Sequence, residues 1–392
     1  MRKLRWAAAA LALGMLTAAC GGGGDEVAED GVIKIAAIYP MTGPASVWGT
    51  TTVAAMQQMA EDVNAEGGVT VDGEDYTIQI DVFDDEQNPE VAQSVAREAL
   101  DDGYHFIMGP FGSGTATATQ SLMAQSDAYW QLMVATVEGP TKNPNVFRSG
   151  ARVSVYTQST LDWLERHPEI KRIAMITDQM HTGLVSEEDA LVAGIEALGR
   201  EVVLQQSHQL GDTDFRAPIT EMLSKDVDLY MTRAYPAETV LITQQVRELG
   251  GEMLIQWNGG LTNAEVDELI GDETVMENVT QAGPLGSLDS FIAAENPIAL
   301  AFAEKVGDKA GSFTVNAHDG MVIFFQGLEK ADELSVDGLI KALNELQVSD
   351  IEGKTLATYA PHEGGLVYQD REVNIEGAVT IWEKGTGWVL AD

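Results

Sequence analysis

A chain of 392 residues with 45% hydrophobic residues is long enough for about two domains and can bury a sizeable core, which excludes a globally disordered protein. Its 61 acidic residues outnumber 23 basic ones and give a formal net charge of −38 at pH 7. This charge argues against nucleic acid as a partner and against adhesion of the folded body to anionic lipid.

The first twenty residues have the layout of a secretory signal. A basic start precedes an apolar run at 6–16, and small residues then lead to Cys20, the single cysteine of the chain. The apolar run is about half as long as a membrane-spanning helix requires. The pattern predicts a signal peptide over 1–19 and a flexible, glycine-rich tether over 20–31.

The small residues before Cys20 resemble the lipobox of bacterial lipoproteins. This resemblance implies that the Cys20 thiol carries a diacylglycerol, so that the tether joins a lipid anchor to the folded body. The alternative is an ordinary signal peptide with an incidental cysteine. If Cys20 is bound to lipid, the chain forms no disulfide, although an extracytoplasmic compartment would permit one.

The first part of the body alternates between strand-like and helical patterns. A β-rich run opens it and ends at Pro40, and a glycine turn at 112–114 leads into the third helix. The predicted elements are strand 32–39, helix 48–63, strand 76–83, helix 88–100, strand 104–108, a helix after 114, and strand 129–134. This alternation predicts an α/β unit with a mostly parallel sheet that helices cover on both faces.

The same alternation restarts after residues 147–152, which predicts a second α/β unit of similar size. The predicted elements are helix 155–166, strand 172–177, helix 184–198, strand 201–206, helix 215–223, strand 227–232, helix 237–249 and strand 253–257. Residues 297–348 then look mostly helical, and the tail at 366–390 looks strand-like again. We expect this last part of the chain to return to both units.

Four short segments resemble one protein family in the same order along the chain. They are Tyr39-Pro40-Met41-Thr42-Gly43-Pro44, Val63-Asn64-Ala65-Glu66-Gly67-Gly68-Val69, Asp84-Asp85-Glu86-Gln87-Asn88-Pro89 and Ala317-His318-Asp319-Gly320. They are similar to motifs of the type I periplasmic solute-binding proteins of the leucine/isoleucine/valine kind, which feed ABC importers.

The resemblance implies a fold of two Rossmann-like α/β lobes with parallel sheets, joined by three hinge crossings and closing on a ligand between them. We expect the first lobe to comprise 32–150 and about 280–362, and the second lobe 151–279 and about 363–392. A monomer that binds a small solute and delivers it to a membrane permease follows from the same resemblance.

The turn Gly112-Ser113-Gly114-Thr115 is the strongest candidate for a ligand contact. Free N–H groups at the start of a helix favour an anion, and a hydroxyl adds a donor. The resemblance implies that Ser113 and Gly114 hold a ligand carboxylate. The alternatives are a plain N-cap serine, or a dinucleotide fingerprint that lacks its third glycine and a suitable acidic partner.

Further contacts follow from the resemblance. Thr136 falls near a second carboxylate donor, and Trp48 falls where the family has an aromatic residue beside the ligand, although its helical spacing also suits the core. Tyr235 matches a tyrosine that covers the ligand from the second lobe. At His181-Thr182-Gly183 the family usually shows Tyr-Gly, so His181 or Thr182 stands in for its aromatic lid.

Asn258 departs from the family pattern in a way that bears on the ligand. Amino-acid binders carry an acid there to pair with the α-ammonium, and a neutral amide cannot match that charge. Either another acid substitutes, or the ligand is not an amino acid. Glu138 is one candidate for that acid, and the alternative is that it faces solvent. Asn can donate and accept, so an amide, a urea-like compound or a hydroxy or aromatic acid would suit it.

No catalytic or metal-binding pattern stands out in the sequence. The six histidines are scattered without metal spacing, and no Gly-x-Ser-x-Gly turn occurs. We therefore expect no cofactor, no metal and no enzyme activity. The sequence predicts an extracytoplasmic, lipid-anchored protein that captures a small polar organic solute for an ABC importer. A ligand-binding sensor and an enzyme are the rival hypotheses.

Overall fold

The structure, a computed structural model, describes residues 27–43, 45–284 and 288–391. The predicted signal peptide, Cys20 and the first part of the tether lie outside these residues. The end of the predicted tether is not a flexible segment, because Ala28–Glu29 pairs antiparallel with Val32 and Ile33. Asp30 and Gly31 form the turn with positive φ values of 52° and 78°.

The described chain alternates between strands and helices. The strands are β1 Ala28–Glu29, β2 Val32–Tyr39, β3 Val69–Val71, β4 Glu74–Asp84, β5 Phe106–Met108, β6 Tyr129–Leu132, β7 Val146–Arg148, β8 Arg172–Asp178, β9 Glu201–His208, β10 Leu229–Arg233, β11 Leu254–Asn258, β12 Val279–Pro284, β13 Tyr368–Gln369, β14 Glu372–Val373, β15 Gly377–Glu383 and β16 Gly387–Leu390. The predicted strands are therefore present.

The α-helices cover the faces of the sheets. They are α1 Ser46–Ala65, α2 Pro89–Asp101, α3 Ser113–Gln125, α4 Val153–Arg166, α5 Thr182–Ser186, α6 Glu188–Ala197, α7 Arg216–Leu223, α8 Pro236–Glu248, α9 Asn263–Leu269, α10 Leu288–Ala293, α11 Pro297–Val306, α12 Thr314–Lys330, α13 Val336–Asn344 and α14 Val348–Ile351. Among the described residues, no helix combines the length and the apolar character needed to cross a membrane.

The strands form two sheets, one in each lobe. The first has the order β13-β14-β7-β6-β5-β2-β4-β3 with β1 added beside β2, and the second has the order β16-β15-β12-β11-β10-β8-β9. The central strands of both sheets are parallel, whereas β3, β13, β15 and β16 pair antiparallel at the margins. This arrangement confirms the predicted α/β fold with two lobes.

The central parallel strands, such as β2, are mostly apolar because helices cover both of their faces. In β2, Ile35 and Ala37 contribute to one apolar cluster, and the alternate residues Ala36 and Ile38 contribute to another on the opposite face. Some helix starts are fixed by a capping side chain. At α2, the Asn88 side chain accepts hydrogen bonds from the N–H groups of the first turn, so the predicted start is confirmed.

The single helix predicted over 184–198 is wrong, because the structure divides it into α5 and α6. Glu187 lies between them with φ −102° and ψ 1°, outside helical geometry. The apolar spacing of the two helices is nearly continuous, which explains why the sequence pattern did not reveal the break. The three-residue strands β3 and β7 were not predicted either, since they are too short to show alternation.

The chain passes between the two sheets three times. It crosses after β7, after β12, and between β14 and β15. The strand pairing places two of the lobe boundaries later in the chain than expected. Strand β12 belongs wholly to the second sheet, so the chain returns to the first lobe after residue 284 rather than near 280. Strands β13 and β14 still belong to the first sheet, so the last crossing follows Val373 rather than residue 362.

Arg148, at the end of β7, explains why the last crossing to the second lobe comes late in the chain. Its backbone N–H donates to the carbonyl of Arg371, and its side-chain Nε donates to a carboxylate oxygen of Glu372 at 3.0 Å. The terminal nitrogens of the Arg148 guanidinium donate to the carbonyls of Ala135 and Val137. Arg148 is fully buried, so these partners replace its lost hydration.

We expect Arg148→Met to lower the free energy of unfolding by about 3–5 kcal/mol. The change leaves the Glu372 carboxylate and two loop carbonyls without their buried partner. Urea denaturation followed by circular dichroism measures the loss.

Arg216→Met is the matched control, because Arg216 forms ion pairs while its side chain is 54% exposed. It should change the unfolding free energy little. In the double variant Arg148→Met/Glu372→Gln, no carboxylate is left at position 372 without its partner. Part of the lost unfolding free energy should therefore be recovered. A loss in Arg148→Met no larger than that in Arg216→Met would contradict this role.

Candidate functional site

The two sheets present the carboxyl ends of their parallel strands to the same interlobe cleft. In the first sheet β2 lies between β4 and β5, and in the second sheet β8 lies between β9 and β10. At both places the strand order changes direction, and the loops after neighbouring strands separate. Such switch points are where open α/β sheets bind ligands. The loops after β5, β6, β8, β10 and β11 are therefore the candidates for ligand contacts.

On the first-lobe side, two hydroxyl groups meet at the start of α3. The Oγ atom of Ser113 accepts a hydrogen bond from the backbone N–H of Thr136 at 3.1 Å, and it lies 3.1 Å from Thr136 Oγ1. Ser113 is 2% exposed and Thr136 is 6% exposed. Gly112 is the N-cap residue and has no side chain to occupy the first N–H groups of the helix. Hydroxyl and N–H donors together suit an anion.

Aromatic side chains from both lobes close the cleft. The Trp48 ring lies 5.9 Å from that of Tyr235, which belongs to the second lobe, and 5.2 Å from that of Phe313. Phe111 lies 5.4 Å from Phe313, and His181 stacks on Tyr235 at 5.0 Å. Edge and tilted contacts of this kind stabilise beyond the area that they bury. The largest apolar cluster is continuous across both lobes through these rings.

Polar contacts also join the lobes. The Nε2 atom of Gln87 donates to the Tyr235 hydroxyl at 2.8 Å, and the hydroxyls of Thr117 and Thr182 lie 3.2 Å apart. On the hinge side, the Ser312 Oγ atom lies 2.6 Å from a carboxylate oxygen of Glu265. Burial raises the pKa of Glu265. These contacts hold the lobes together in a closed arrangement.

His181 is neutral in this setting. Its Nδ1 atom accepts a hydrogen bond from the N–H of Leu184, which assigns the proton of the neutral ring to Nε2. Burial, aided by the positive charge of Arg233, lowers the pKa of His181 to about 4. A neutral, stacked imidazole presents an apolar face and one donor to the cleft.

The space enclosed by these residues is small, about 30 Å³, which is room for about one or two water molecules. The residues around it are Trp48, Phe111, Gly112, Ser113, Val134, Ala135, Thr136, Tyr156, His181, Leu184, Tyr235, Asn258, Gly259 and Phe313. No aspartate or glutamate belongs to this lining, among the residues that the structure describes. The cleft is therefore neutral at its walls and offers donors at one end.

Most of the predicted contacts are brought together in the cleft. Trp48, Ser113, Thr136, His181, Tyr235 and Asn258 all line it. Gly114 and Thr182 lie beside it rather than in its wall. A Cβ atom at Gly114 would approach the carbonyl oxygen of Met180 to 2.8 Å, so a glycine is needed there for the lobes to meet.

The placement of Glu138 in the cleft is wrong. Its side chain is exposed, and it is not among the lining residues. The reason lies in the loop that carries it. The buried Arg148 holds the carbonyls of Ala135 and Val137, and Thr136 turns inward, so the chain reaches the surface by residue 138. Glu138 cannot supply the acid that Asn258 lacks.

Several lining residues were missed by reasoning from the sequence. Gly112, Ala135 and Gly259 each adjoin a predicted contact, so a wider reading of the same turns would have included them. Tyr156 and Phe313 come from helix starts far away in the chain, and only the packing of the lobes brings them to the cleft. No sequence signal marks those two positions.

Three carboxyl groups surround the Tyr235 contact from both lobes. They belong to Asp85 on the first lobe and to Asp178 and Glu238 on the second, and each has a buried oxygen without a hydrogen-bond partner among the described residues. Burial raises the pKa of Asp85 to about 6. Burial, aided by the charge of Glu238, raises the pKa of Asp178 to about 7. The closed lobes therefore bind protons near neutral pH.

Comparison with known proteins identifies the family. A family model described as periplasmic binding protein matches residues 32–365, which is most of the chain. A Leu/Ile/Val-binding protein of Rhizobium johnstonii is 29% identical over 304 residues, which cover 76% of this chain and 79% of that protein. The chain belongs to the type I periplasmic binding proteins of the branched-chain amino acid transporter family. These are extracytoplasmic solute-binding components of ABC importers.

Solved structures agree with the fold. A leucine-binding protein from Thermotoga maritima superposes with a TM-score of 0.77 at 20% identity, and the match covers 92% of this chain and 97% of that chain. A solute-binding protein of an ABC transporter from Rhodopseudomonas palustris BisB5, in complex with 3,4-dihydroxybenzoic acid, gives a TM-score of 0.73 at 19% identity, covering 92% and 95%.

We expect Asp178→Asn to weaken the pH dependence of stability. A carboxyl whose pKa is about 7 in the folded state and about 3.9 in the unfolded chain makes stability fall as pH rises from about 4 to 7, because the folded state binds the extra proton. The amide keeps the hydrogen bond that Oδ1 accepts from the Met180 N–H. Differential scanning fluorimetry between pH 5 and 7.5 should show a smaller fall in Tm, and a Tm about 2–4 °C higher at pH 7.5.

Asp308→Asn is the control, because it removes the same charge at an exposed position. It should keep the wild-type pH profile. An unchanged profile in Asp178→Asn would show that Asp178 does not bind the extra proton.

Proposed function

We propose that this periplasmic binding protein captures a small carboxylic acid without a free ammonium group between its lobes and passes it to the permease of an ABC importer. One observation carries the proposal. The cleft has a cluster of anion-binding donors at Ser113 and Thr136, a neutral amide at Asn258, and no acidic residue in its lining among the described residues.

The donor end of the cleft suits a carboxylate. Hydrogen bonds to an ionised carboxylate are about twice as strong as those between neutral groups. Ser113 and Thr136 belong to two different loops, and the N–H groups that begin α3 add the positive end of a helix dipole. A carboxylate that accepts from both hydroxyls would compensate for the water it loses on entering the cleft.

The amide end of the cleft does not suit an ammonium. A buried ammonium that faces Asn258 would have one neutral oxygen as its partner, and no carboxylate lines the cleft to balance its charge. An acid with a hydroxyl or carbonyl group would instead find in Asn258 a donor and an acceptor. The 3,4-dihydroxybenzoic acid in the Rhodopseudomonas palustris relative is a compound of this class.

A branched-chain amino acid is the second candidate. The name of the Leu/Ile/Val-binding relative of Rhizobium johnstonii favours it. In that case, the backbone carbonyls and Asn258 alone would have to hold the ammonium. Either ligand would be buried by hinge closure, since Trp48 lies on the first lobe and Tyr235 on the second.

We further propose that the protein acts as a monomer on the outer side of the cell membrane, attached through a diacylglycerol on Cys20. The signal-like sequence up to Cys20 and the family's role outside the cytoplasm support this. The anchor would keep the protein close to its permease, and the glycine-rich residues that follow would give it reach.

We expect 3,4-dihydroxybenzoate to bind more tightly than leucine, and Ser113→Ala to weaken this binding by about tenfold to a hundredfold. The expected loss corresponds to one hydrogen bond to a charged group. Isothermal titration calorimetry measures both affinities. Ser224→Ala is the matched control, because it makes the same change at an exposed helix end, and it should bind as wild type does.

Asn258→Glu separates the two ligand classes. With an acid as ligand, the new carboxylate adds like charge to the cleft, and affinity for 3,4-dihydroxybenzoate should fall by more than tenfold. Tighter binding of leucine by Asn258→Glu, together with no response of the wild type to aromatic acids, would move the protein to the amino-acid class.

Cys20→Ser should move the protein from the membrane fraction to the soluble fraction of the producing bacterium. The serine hydroxyl cannot replace the thiol that receives the lipid. Fractionation followed by immunoblotting measures the change. A variant that still sediments with membranes would contradict the lipid anchor, and a wild-type protein found only in the soluble fraction would contradict it as well.

A further inference from the structure

A second cavity between the lobes is much larger than the enclosed cleft. It has a volume of about 500 Å³ and lies on the side of the second and third crossings, against Gly283 and Glu376. It shares Tyr156, Gly259 and Phe313 with the lining of the cleft, so the two spaces adjoin. We call it the hinge-side pocket. Its volume is within the range of pockets that bind small molecules.

One wall of the hinge-side pocket is a face of the second sheet. Gln281 pairs with Thr380, and Gly283 pairs with Ala378, across the antiparallel strands β12 and β15. Residues two apart on paired strands share a face, so these four positions lie side by side. Gly283 and Ala378 have little or no side chain, and the space over them is therefore open.

The remaining walls are mostly apolar and come from both lobes. The second lobe contributes Leu261 and Trp388, and the first lobe contributes Phe313 and Ala360. Phe291, in α10, adds an aromatic side chain. A cavity with these walls favours the apolar body of a ligand over a free amino acid or an ion.

Gly259 lies where the cleft and the pocket meet. It has a φ of 77°, and a Cβ atom added to it would contact nothing within 4 Å. Asn258 precedes it in the cleft wall. The cleft has room for a carboxylate but not for a larger body, whereas the pocket has the room and no cationic residue in its lining.

We propose that the hinge-side pocket is the subsite for the body of the solute. The ligand is then a carboxylic acid held at Ser113 and Thr136, whose apolar body passes Gly259 and fills the pocket. This inference rests on the proposed carboxylate site and deepens it, because it names the size and the shape of the solute.

Unbranched alkanoates from butanoate to decanoate test the subsite in the full-length protein. Each methylene group that enters the pocket should lower Kd by about fourfold, the factor that follows from burial of one CH₂ group. Isothermal titration calorimetry measures each Kd.

Ala378→Phe fills the pocket from the second lobe, and Ala378→Ser is the matched control that leaves its volume open. The gain in affinity with chain length should disappear in Ala378→Phe and persist in Ala378→Ser. Ala360→Phe enters the same pocket from the first lobe and provides a second test should Ala378→Phe not fold.

The outcomes separate this inference from the proposed function. If neither butanoate nor a longer acid binds in a manner that depends on Ser113, the carboxylate site itself is wrong. If butanoate binds through Ser113 but longer acids bind no better, the hinge-side subsite alone is wrong. A gain with chain length that persists in both Ala378→Phe and Ala360→Phe also overturns the subsite.

Discussion

The architecture depends on one buried cation, the guanidinium of Arg148. It joins the loop that carries Thr136, the end of β7 at the first crossing, and Glu372 in the tail. A buried guanidinium is costly unless its donors are paired, so each of these segments is held where a partner is required. The same constraint turns Thr136 toward Ser113 and keeps the tail in the first sheet up to Val373. The loop that carries Thr136 and the hinge are therefore positioned together.

Closure of the lobes reflects a balance between two opposed effects. The rings of Trp48 and Tyr235 favour the closed arrangement because they bury large apolar areas against each other. Asp85 and Asp178 oppose it near neutral pH, because closure removes water from carboxyl groups that would otherwise be ionised. When these two effects nearly cancel, the open and closed states differ little in free energy. A ligand that bridges the lobes can then shift the population toward the closed state.

The sequence predicted those parts of the molecule that local patterns determine. Continuous apolar strands such as β2, and capped helices such as α2, follow from short-range rules, and the donors at Ser113 follow from a turn before a helix. Features that depend on how distant segments pack together could not be predicted from the sequence. Phe313 enters the cleft from a helix start far along the chain, and Glu138 leaves it because Arg148, at the end of the next strand, fixes its loop. No periodicity in the sequence encodes such long-range contacts.

Asn258 and Gly259 link the chemistry of the cleft to the space behind it. An acid at position 258 would favour an ammonium close to the carboxylate site, and would limit the solute to compounds with both charges near each other. A neutral amide removes that requirement, and the adjoining glycine leaves the passage to the hinge-side pocket open. Both positions favour a solute without an ammonium, because such a solute can extend into the hinge-side pocket without leaving a charge unpaired. Under the proposed function, specificity follows from removing a charged partner as much as from adding a contact, which is how a shared fold accommodates different solutes.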